Sequence, residues 1–371
     1  MKALVHRLPA AAPQDVSALH DAIDAGTIDP ARIVAVLGKT EGNGCVNDFT
    51  RGYATTALKQ AIAERLGESP AQIEQRVAFV MSGGTEGGLS PHWLVFEVRE
   101  APPPPDASKP GAAKALAIGV AFTRSFAPEE IGRQAQAAAT VDAVHAAMAA
   151  AGIVSPSDVH YVQVKCPLLT KARIADAERR GHTVAAHNTY DSMGYSRGAS
   201  SLGVAEALGE LRGAITDAAI CADRSLFSGV ASSSAGIELM ENQVMVLGNS
   251  AAWSSELVIG HAVMADAIDV AAAGAALASV GLTLRAQLDD AQRGRVAAVL
   301  CKAEASQTGL IRGRRHVMLD DSDIHASRHA RALVGGVLAG VFGDTQLFVS
   351  GGAEHQGPDG GGAIAVIARA A

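Results

Sequence analysis

The feature that most constrains this chain is a threefold recurrence of lysine, arginine and serine in one order. Internal repeats govern the reading of everything else, because a repeat must be a structural unit. In each third an Ala-rich helical segment leads through a turn into a short apolar run ending in lysine. Val16–Ala25 leads to the run 33–39 and Lys39, Val141–Ala151 to the run 159–165 and Lys165, and Ala271–Val280 to the run 296–302 and Lys302. Apolar runs this short, rich in Val and Ile, read as buried strands. Each strand then delivers its lysine to its C-terminal edge.

Each lysine is followed by a Ser/Thr-Arg pair that opens a helix: Thr50-Arg51, Ser196-Arg197 and Ser327-Arg328. The hydroxyl residue reads as an N-cap. Further on stand Ser82-Gly83-Gly84-Thr85-Glu86, Ser234-Ala235-Gly236-Ile237-Glu238 and Ser350-Gly351-Gly352-Ala353-Glu354, all of the form S-[GA]-G-x-E. Each repeat closes on another apolar run, 93–98, 244–248 or 363–367. One such serine is a small residue in a tight turn; three in register with lysine and arginine are a constellation.

The fold class is therefore α/β (α+β), with three similar units of central strands and outer helices around a pseudo-threefold axis. Breaks fall at the Pro-rich stretch 101–111 and near 249–254, which gives units 1–103, 112–250 and 254–371. The 371 residues, 48% hydrophobic, suffice for a core of this size. With 4% aromatics, that core is built from Ala, Val, Leu and Ile.

Composition excludes several functions. A net charge of −7 with few aromatics does not suit nucleic-acid binding. The longest apolar stretch, 253–284, is interrupted by Glu256, His261, Asp266 and Asp269, so no membrane span is expected. Arg7 precedes any apolar run, so no signal peptide is expected either. Cys45, Cys166, Cys221 and Cys301 are scattered, which points to a reducing, cytoplasmic setting. The Cys positions relative to the lysines differ between repeats, and His145, His160, His187 and His261 have no repeated partner. They are read as packing or surface residues, with His355 beside the third serine the one histidine of interest.

Three lysines, three arginines and three serines facing one cavity suit a planar, oxygen-rich ligand. Arginine forks match planar acceptors, and small residues after each serine let backbone N–H groups approach a carbonyl oxygen. A serine becomes a nucleophile when a neutral lysine takes its proton, and burial among cations favours the neutral amine. The expected chemistry is acyl transfer at an amide or imide carbonyl.

The segments Gly38-Lys39-Thr40-Glu41-Gly42-Asn43-Gly44-Cys45-Val46-Asn47-Asp48, Val80–Gly87, Met193–Ser200 and Ser350–Pro358 resemble the cyanuric acid hydrolase/barbiturase family, and the resemblance runs essentially end to end. It implies a three-unit "Toblerone" fold assembled as a homotetramer. It also implies hydrolytic opening of cyanuric acid to carboxybiuret, which loses carbon dioxide to become biuret. The resemblance assigns Lys165 and Ser234 as the catalytic dyad. Substrate binding then falls to Lys39, Arg51, Ser82, Gly83, Arg197, Ser234, Ala235, Lys302, Arg328, Ser350 and Gly351. It further implies no organic cofactor but a structural divalent cation, Mg²⁺ or Ca²⁺, held by Glu304, Ala353, Gln356, Gly357, Pro358 and Gly361. One carboxylate among carbonyl oxygens suits such a hard ion. A barbiturase, opening barbituric acid to ureidomalonic acid, and a non-catalytic ring-binding protein are the alternatives.

One sequence difference bears on the dyad. Glu41 and Glu304 stand two positions after Lys39 and Lys302, on the same strand face. Lys165 is followed by Cys166-Pro167, so it is expected to lack a carboxylate neighbour and to lose its proton most easily.

Overall fold

In the computed structural model, which describes every residue except Ser108, Pro110 and Ala371, the chain forms three four-stranded sheets plus one two-stranded ribbon. The first sheet holds β1 (Lys2–Pro9), β2 (Ile33–Thr40), β3 (Ala78–Gly83) and β4 (His92–Arg99). The second holds β5 (Ala115–Phe122), β6 (Val159–Pro167), β7 (Ala231–Gly236) and β8 (Gln243–Ser250). The third holds β9 (Leu257–Met264), β10 (Val296–Ala303), β13 (Phe348–Gly351) and β14 (Gly362–Arg369), and the ribbon pairs β11 (Leu310–Ile311) with β12 (Arg314–Arg315).

Strand order is β1-β4-β2-β3, β5-β8-β6-β7 and β9-β14-β10-β13, the same in each sheet. The lysine-bearing strand (β2, β6 or β10) runs parallel to the serine-bearing strand (β3, β7 or β13), with a helix in the connection. Parallel neighbours need such a crossover. The three expected lysine strands and three closing strands are all present. The serines lie near the ends of strands, Ser82 in β3, Ser234 in β7 and Ser350 in β13, and the edge strands β1, β5 and β9 were not among the expected elements.

The crossover helices are Phe49–Leu66, Thr189–Ala207 and Ala326–Phe342. Their caps correct the sequence reading. Asp48 caps the first helix by accepting from Thr50 N–H, Asn188 caps the second and His325 the third. Ser196 and Ser327 therefore lie inside helices, and Thr50 is itself the capped residue. The first and third helices end at Gly67 and Gly343 in the left-handed conformation that a Cβ would strain.

One apolar cluster draws Leu37 and Phe96 from the first sheet, Val162 and Leu247 from the second, and Leu300 and Ile367 from the third. The sheets thus turn inner faces to a shared core, while separate clusters lie between outer faces and helices. Lys39, Lys165 and Lys302 are among the largest fully buried side chains, in the company of Trp93 and Phe96. A buried lysine is costly unless partnered, so these three must find partners inside. Among the described residues no helix is long and apolar enough to cross a membrane, and all four cysteines are free. Part of the Pro-rich linker, Ser108 and Pro110, lies outside the described residues.

Candidate active site

The parallel pairing sets the first geometric fact. Lys39 lies opposite Ser82, Lys165 opposite Ser234, and Lys302 opposite Ser350. One register, used three times, brings every lysine beside the serine of its own sheet. The serines line a single cavity with about 290 Å³ of empty space, together with Gly83, Ala235, Gly351, Arg51, Arg197 and Arg331. Ser234 Oγ and Ser350 Oγ are 3.1 Å apart.

Each lysine also reaches into the next sheet. Lys39 Nζ donates to Val349 O at 2.7 Å, Lys165 Nζ to Met81 O at 3.3 Å and Lys302 Nζ to Ser233 O at 3.1 Å. In all three cases the acceptor is the carbonyl just before a neighbouring serine. The contacts run round the ring of sheets and tie serine strands to lysine strands.

The three lysines then diverge. Lys39 Nζ and Lys302 Nζ donate to their own serine hydroxyls at 3.2 Å each. Burial, then the charge of Arg331, pushes Lys39 well below the usual lysine range. Burial, then Arg197, brings Lys302 down to about 7. Lys165 is instead ion-paired with Glu238, Nζ to Oε1 2.8 Å. The expectation that Lys165 lacks a carboxylate is thus overturned. Counting along its own strand missed a residue four positions past the serine on the adjacent strand. Glu41, by contrast, is exposed and plays no part at Lys39.

The arginines bring a second correction. Arg51 and Arg197 reach the cavity as expected, but the third is Arg331, one helical turn beyond Arg328. Arg331 is 3% exposed and forks the Glu86 carboxylate, whereas the Arg328 side chain is 41% exposed and touches Glu86 only at 3.5 Å. The Ser-Arg pattern favoured Arg328. The better signal was the small residue after the arginine: Gly52, Gly198 and Ala332, against His329 after Arg328.

The glutamate that closes each S-[GA]-G-x-E motif had no role in the sequence reading. Glu86 pairs with Arg331, and Glu354 with Arg197 at 2.7 and 2.6 Å. Glu238 breaks the pattern by taking Lys165, and Arg51 donates instead to Ala235 O at 3.1 Å and to Cys45 O. The three motif glutamates are thus shared out as one to Arg331, one to Arg197 and one to Lys165. Close packing fixes its glycines: a Cβ at Gly83 would lie 1.8 Å from the Asp48 carboxylate.

Behind the third serine, Glu304, Ala353 and Gly357 line a pocket with Glu354, His355 and Asp359. Burial, then the charge of Glu354, pushes Glu304 up to about 8. Among the described residues no group of three or more His, Cys, Asp or Glu side chains forms a metal site, so a cation here would depend on backbone oxygens. Gln356 Oε1 accepts Ser233 N–H at 2.7 Å, Pro358 O accepts Gly361 N–H, and a Cβ at Gly361 would sit 2.0 Å from Met264 O. These residues form one tight loop beside a carboxylate crowded by other carboxylates, an environment a divalent cation would relieve.

A family model described as an amidohydrolase ring-opening protein matches residues 4–369. The chain belongs to this family. It is 62% identical over 369 residues, all of both chains, to a cyanuric acid amidohydrolase of Ectopseudomonas oleovorans. It is 56% identical to one of Enterobacter cloacae, again over both full lengths. Two solved cyanuric acid hydrolase structures superpose over 100% of this chain and 99% of theirs. One, described as a product of structural concatenation, gives a TM-score of 0.93 at 53% identity. The other, from A. caulinodans, gives 0.90 at 54%. In a ring-opening amidohydrolase, a cavity lined by three serines and three arginines, with a buried lysine opposite each serine, is where a cyclic amide would sit.

Proposed function

We propose that this chain opens the ring of cyanuric acid, giving carboxybiuret and then biuret and carbon dioxide. The supporting observation is the single cavity lined by Ser82, Ser234 and Ser350 with Arg51, Arg197 and Arg331, each serine having a buried lysine opposite it. A planar ring with three carbonyls matches three donor sets. The high identity to cyanuric acid amidohydrolases over full length favours that ring over barbituric acid, which has a CH₂ in place of one N–H.

In this reading the units 1–103, 112–250 and 254–371 surround a pseudo-threefold axis, which the common strand order supports. Ser234 is the nucleophile and Lys165 its base. The Ser234 proton passes to the Lys165 amine as Oγ bonds the carbonyl carbon. Backbone N–H groups near Ala235 hold the oxyanion. As the ring C–N bond breaks, the lysine ammonium returns the proton to the leaving nitrogen, and water then hydrolyses the acyl-serine. Ser82 and Ser350, with Gly83, Gly351, Lys39 and Lys302, hold the other two carbonyls.

A structural Mg²⁺ or Ca²⁺ held by Glu304 and oxygens of Ala353, Gln356, Gly357, Pro358 and Gly361 would brace the loop behind Ser350. The protein works as a cytoplasmic homotetramer without an organic cofactor, a membrane or a nucleic acid.

One observation favours a second reading. Lys302 is hydrogen-bonded to Ser350 and held at about 7, so this pair is already poised as a dyad. Loss of cyanuric acid absorbance, followed for Lys165→Ala, Lys302→Ala and Lys39→Ala, decides between them. The proposal expects Lys165→Ala to abolish turnover. Near wild-type kcat in that variant overturns the dyad, and failure of the unaltered protein to open the ring overturns the function.

A further inference from the structure

Three glutamates occupy the same motif position, and two behave alike. Glu86 and Glu354 fork an arginine from another unit, leaving Lys39 and Lys302 free to donate to their serines. Glu238 sits on Lys165 instead, and no Lys165–Ser234 hydrogen bond accompanies that ion pair. The backbone accounts for the difference. Gly84 and Gly352 take positive φ, +106° and +75°, and their strands stop at the preceding glycine. Gly236 is not in that region, and β7 continues through it. A Cβ there would lie 2.2 Å from the Glu238 carboxylate, so the side chain folds back tightly over its own glycine.

We propose that Glu238 is a movable counter-ion that positions Lys165. It rests on Lys165 and swings to Arg51 when the ring is bound, reproducing the arrangement of Glu86 with Arg331 and Glu354 with Arg197. This rests on Lys165 and Ser234 being the working dyad. Arg51 is the natural receiver: its charge already acts on Glu238, and its present partners are carbonyls and a distant Asp48 carboxylate at 3.7 Å. Glu238 is partly exposed and so has room to move. At rest the Glu238 carboxylate is ion-paired with the Lys165 side chain. When Glu238 leaves, Lys165 is buried with no counter-ion, releases one proton to solvent along the path Glu238 opens, and turns to Ser234 as Lys39 turns to Ser82. The charged and titratable groups around this switch are Glu238, Arg51 and Arg173, with Cys166 next in the chain. Arg197 lines the same cavity, and Lys39 and Lys302 lie beside its other two serines.

The test is the pH dependence of kcat/KM for cyanuric acid, with wild type and variants in identical buffers so that ionisation of the ring itself cancels. Glu238→Gln keeps size and polarity but removes the charge. Its ascending limb is expected at least one pH unit to the acid side of wild type, with KM changed less than about twofold. Glu238→Asp is expected to restore the limb toward wild type, and Glu86→Gln to leave its position unmoved. An unmoved limb in Glu238→Gln overturns the inference, as does a limb that moves with Glu86→Gln instead. If Glu238→Gln does not fold, Glu238→Asp with a limb shifted as far as one unit overturns it, because the charge is still present. Lys165→Ala and Ser234→Ala run alongside. Turnover in either one sinks the dyad itself, whereas two dead variants with an unmoved Glu238→Gln limb sink only the counter-ion role.

Discussion

Truncating Arg331 to alanine is expected to damage this protein far more than the same change at Arg328, one turn away. Arg331 is 3% exposed. Its Nε donates to Glu86 at 2.9 Å, its Nη2 donates to the other oxygen of the same carboxylate, and Nη2 also reaches Asn43 O at 3.2 Å. Glu86 keeps only 13% of its side chain exposed. Removing one member of a buried pair strands the other, at a cost of roughly 3–5 kcal/mol. The Glu86 carboxyl is held low by Arg331 against the opposing effect of burial, so at neutral pH it would be left as an unpaired anion. The Arg328 side chain is 41% exposed and meets Glu86 only at 3.5 Å, so Arg328→Ala should cost about 0–1 kcal/mol. Guanidinium unfolding followed by far-ultraviolet circular dichroism, at one fixed protein concentration, measures both. Adding Glu86→Gln to Arg331→Ala should recover at least half of the loss, because the stranded charge is gone. In the ring-opening assay, loss of the Arg331 donors should lower kcat/KM by about 10- to 150-fold, as expected for charge-assisted hydrogen bonds of about 1.5–3 kcal/mol. Equal stability losses for the two arginines, or no recovery in the double variant, would refute the reasoning.

Ser234→Ala should abolish turnover while the ring still binds, whereas Ser82→Ala should first raise KM; equilibrium binding beside steady-state kinetics separates the two. Lys39, driven well below its ordinary 10.5 by burial and then by Arg331, binds fewer protons folded than unfolded between that lowered value and 10.5. Stability should therefore rise with pH across that window, and Lys39→Met should be more stable than wild type at pH 7 with a flatter rise, as read from unfolding at several pH values. Millimolar Mg²⁺ or Ca²⁺ should raise the thermal midpoint of chelator-treated protein and leave Glu304→Gln unmoved; an equal shift in both excludes a cation at that carboxylate.

Much of the fold was legible because the strands carrying the lysines are short, β-branched and bounded by turns, and each occurs three times. The observed ranges of β2, β6 and β10 extend the expected ones by only one or two residues at the C-terminal end. Placing a lysine at each strand end also placed it correctly in space, since parallel pairing then sets it opposite a serine. What stayed hidden depends on contacts between distant segments. Arg328 and Arg331 lie on the same helical face, and only the depth of the helix against β13 and β10 chooses between them. The N-caps were misplaced because a hydroxyl before an arginine suffices as a sequence signal, whereas the structure uses Asp48, Asn188 and His325. Glu238 reaches Lys165 across a strand pair and through one glycine dihedral, which no spacing along the chain encodes.

Three sheets of one strand order, as proposed around a pseudo-threefold axis, can still do asymmetric chemistry. Cyanuric acid offers three equivalent carbonyls, and a cavity with three equal dyads would attack any of them. The three S-[GA]-G-x-E motifs differ at the second position, where Ala235 replaces the glycines at 83 and 351. The strand there runs one residue further, Gly236 stays out of the left-handed region, and the following glutamate lands on the lysine rather than on an arginine. Two of the three serines are thereby committed as acceptors of Lys39 and Lys302, while Ser234 Oγ meets Ser350 Oγ and its own lysine is engaged elsewhere. On the proposed mechanism, this local change in backbone would make one carbonyl site chemically different from the other two. If Ala235→Gly let the second loop adopt the φ of the first and third, Glu238 should move to Arg51, and the pH–rate profile should shift to the acid side without any change of charge in the sequence. A profile identical to wild type, with Glu238 still on Lys165 in a crystal structure of that variant, would place the cause of the asymmetry elsewhere.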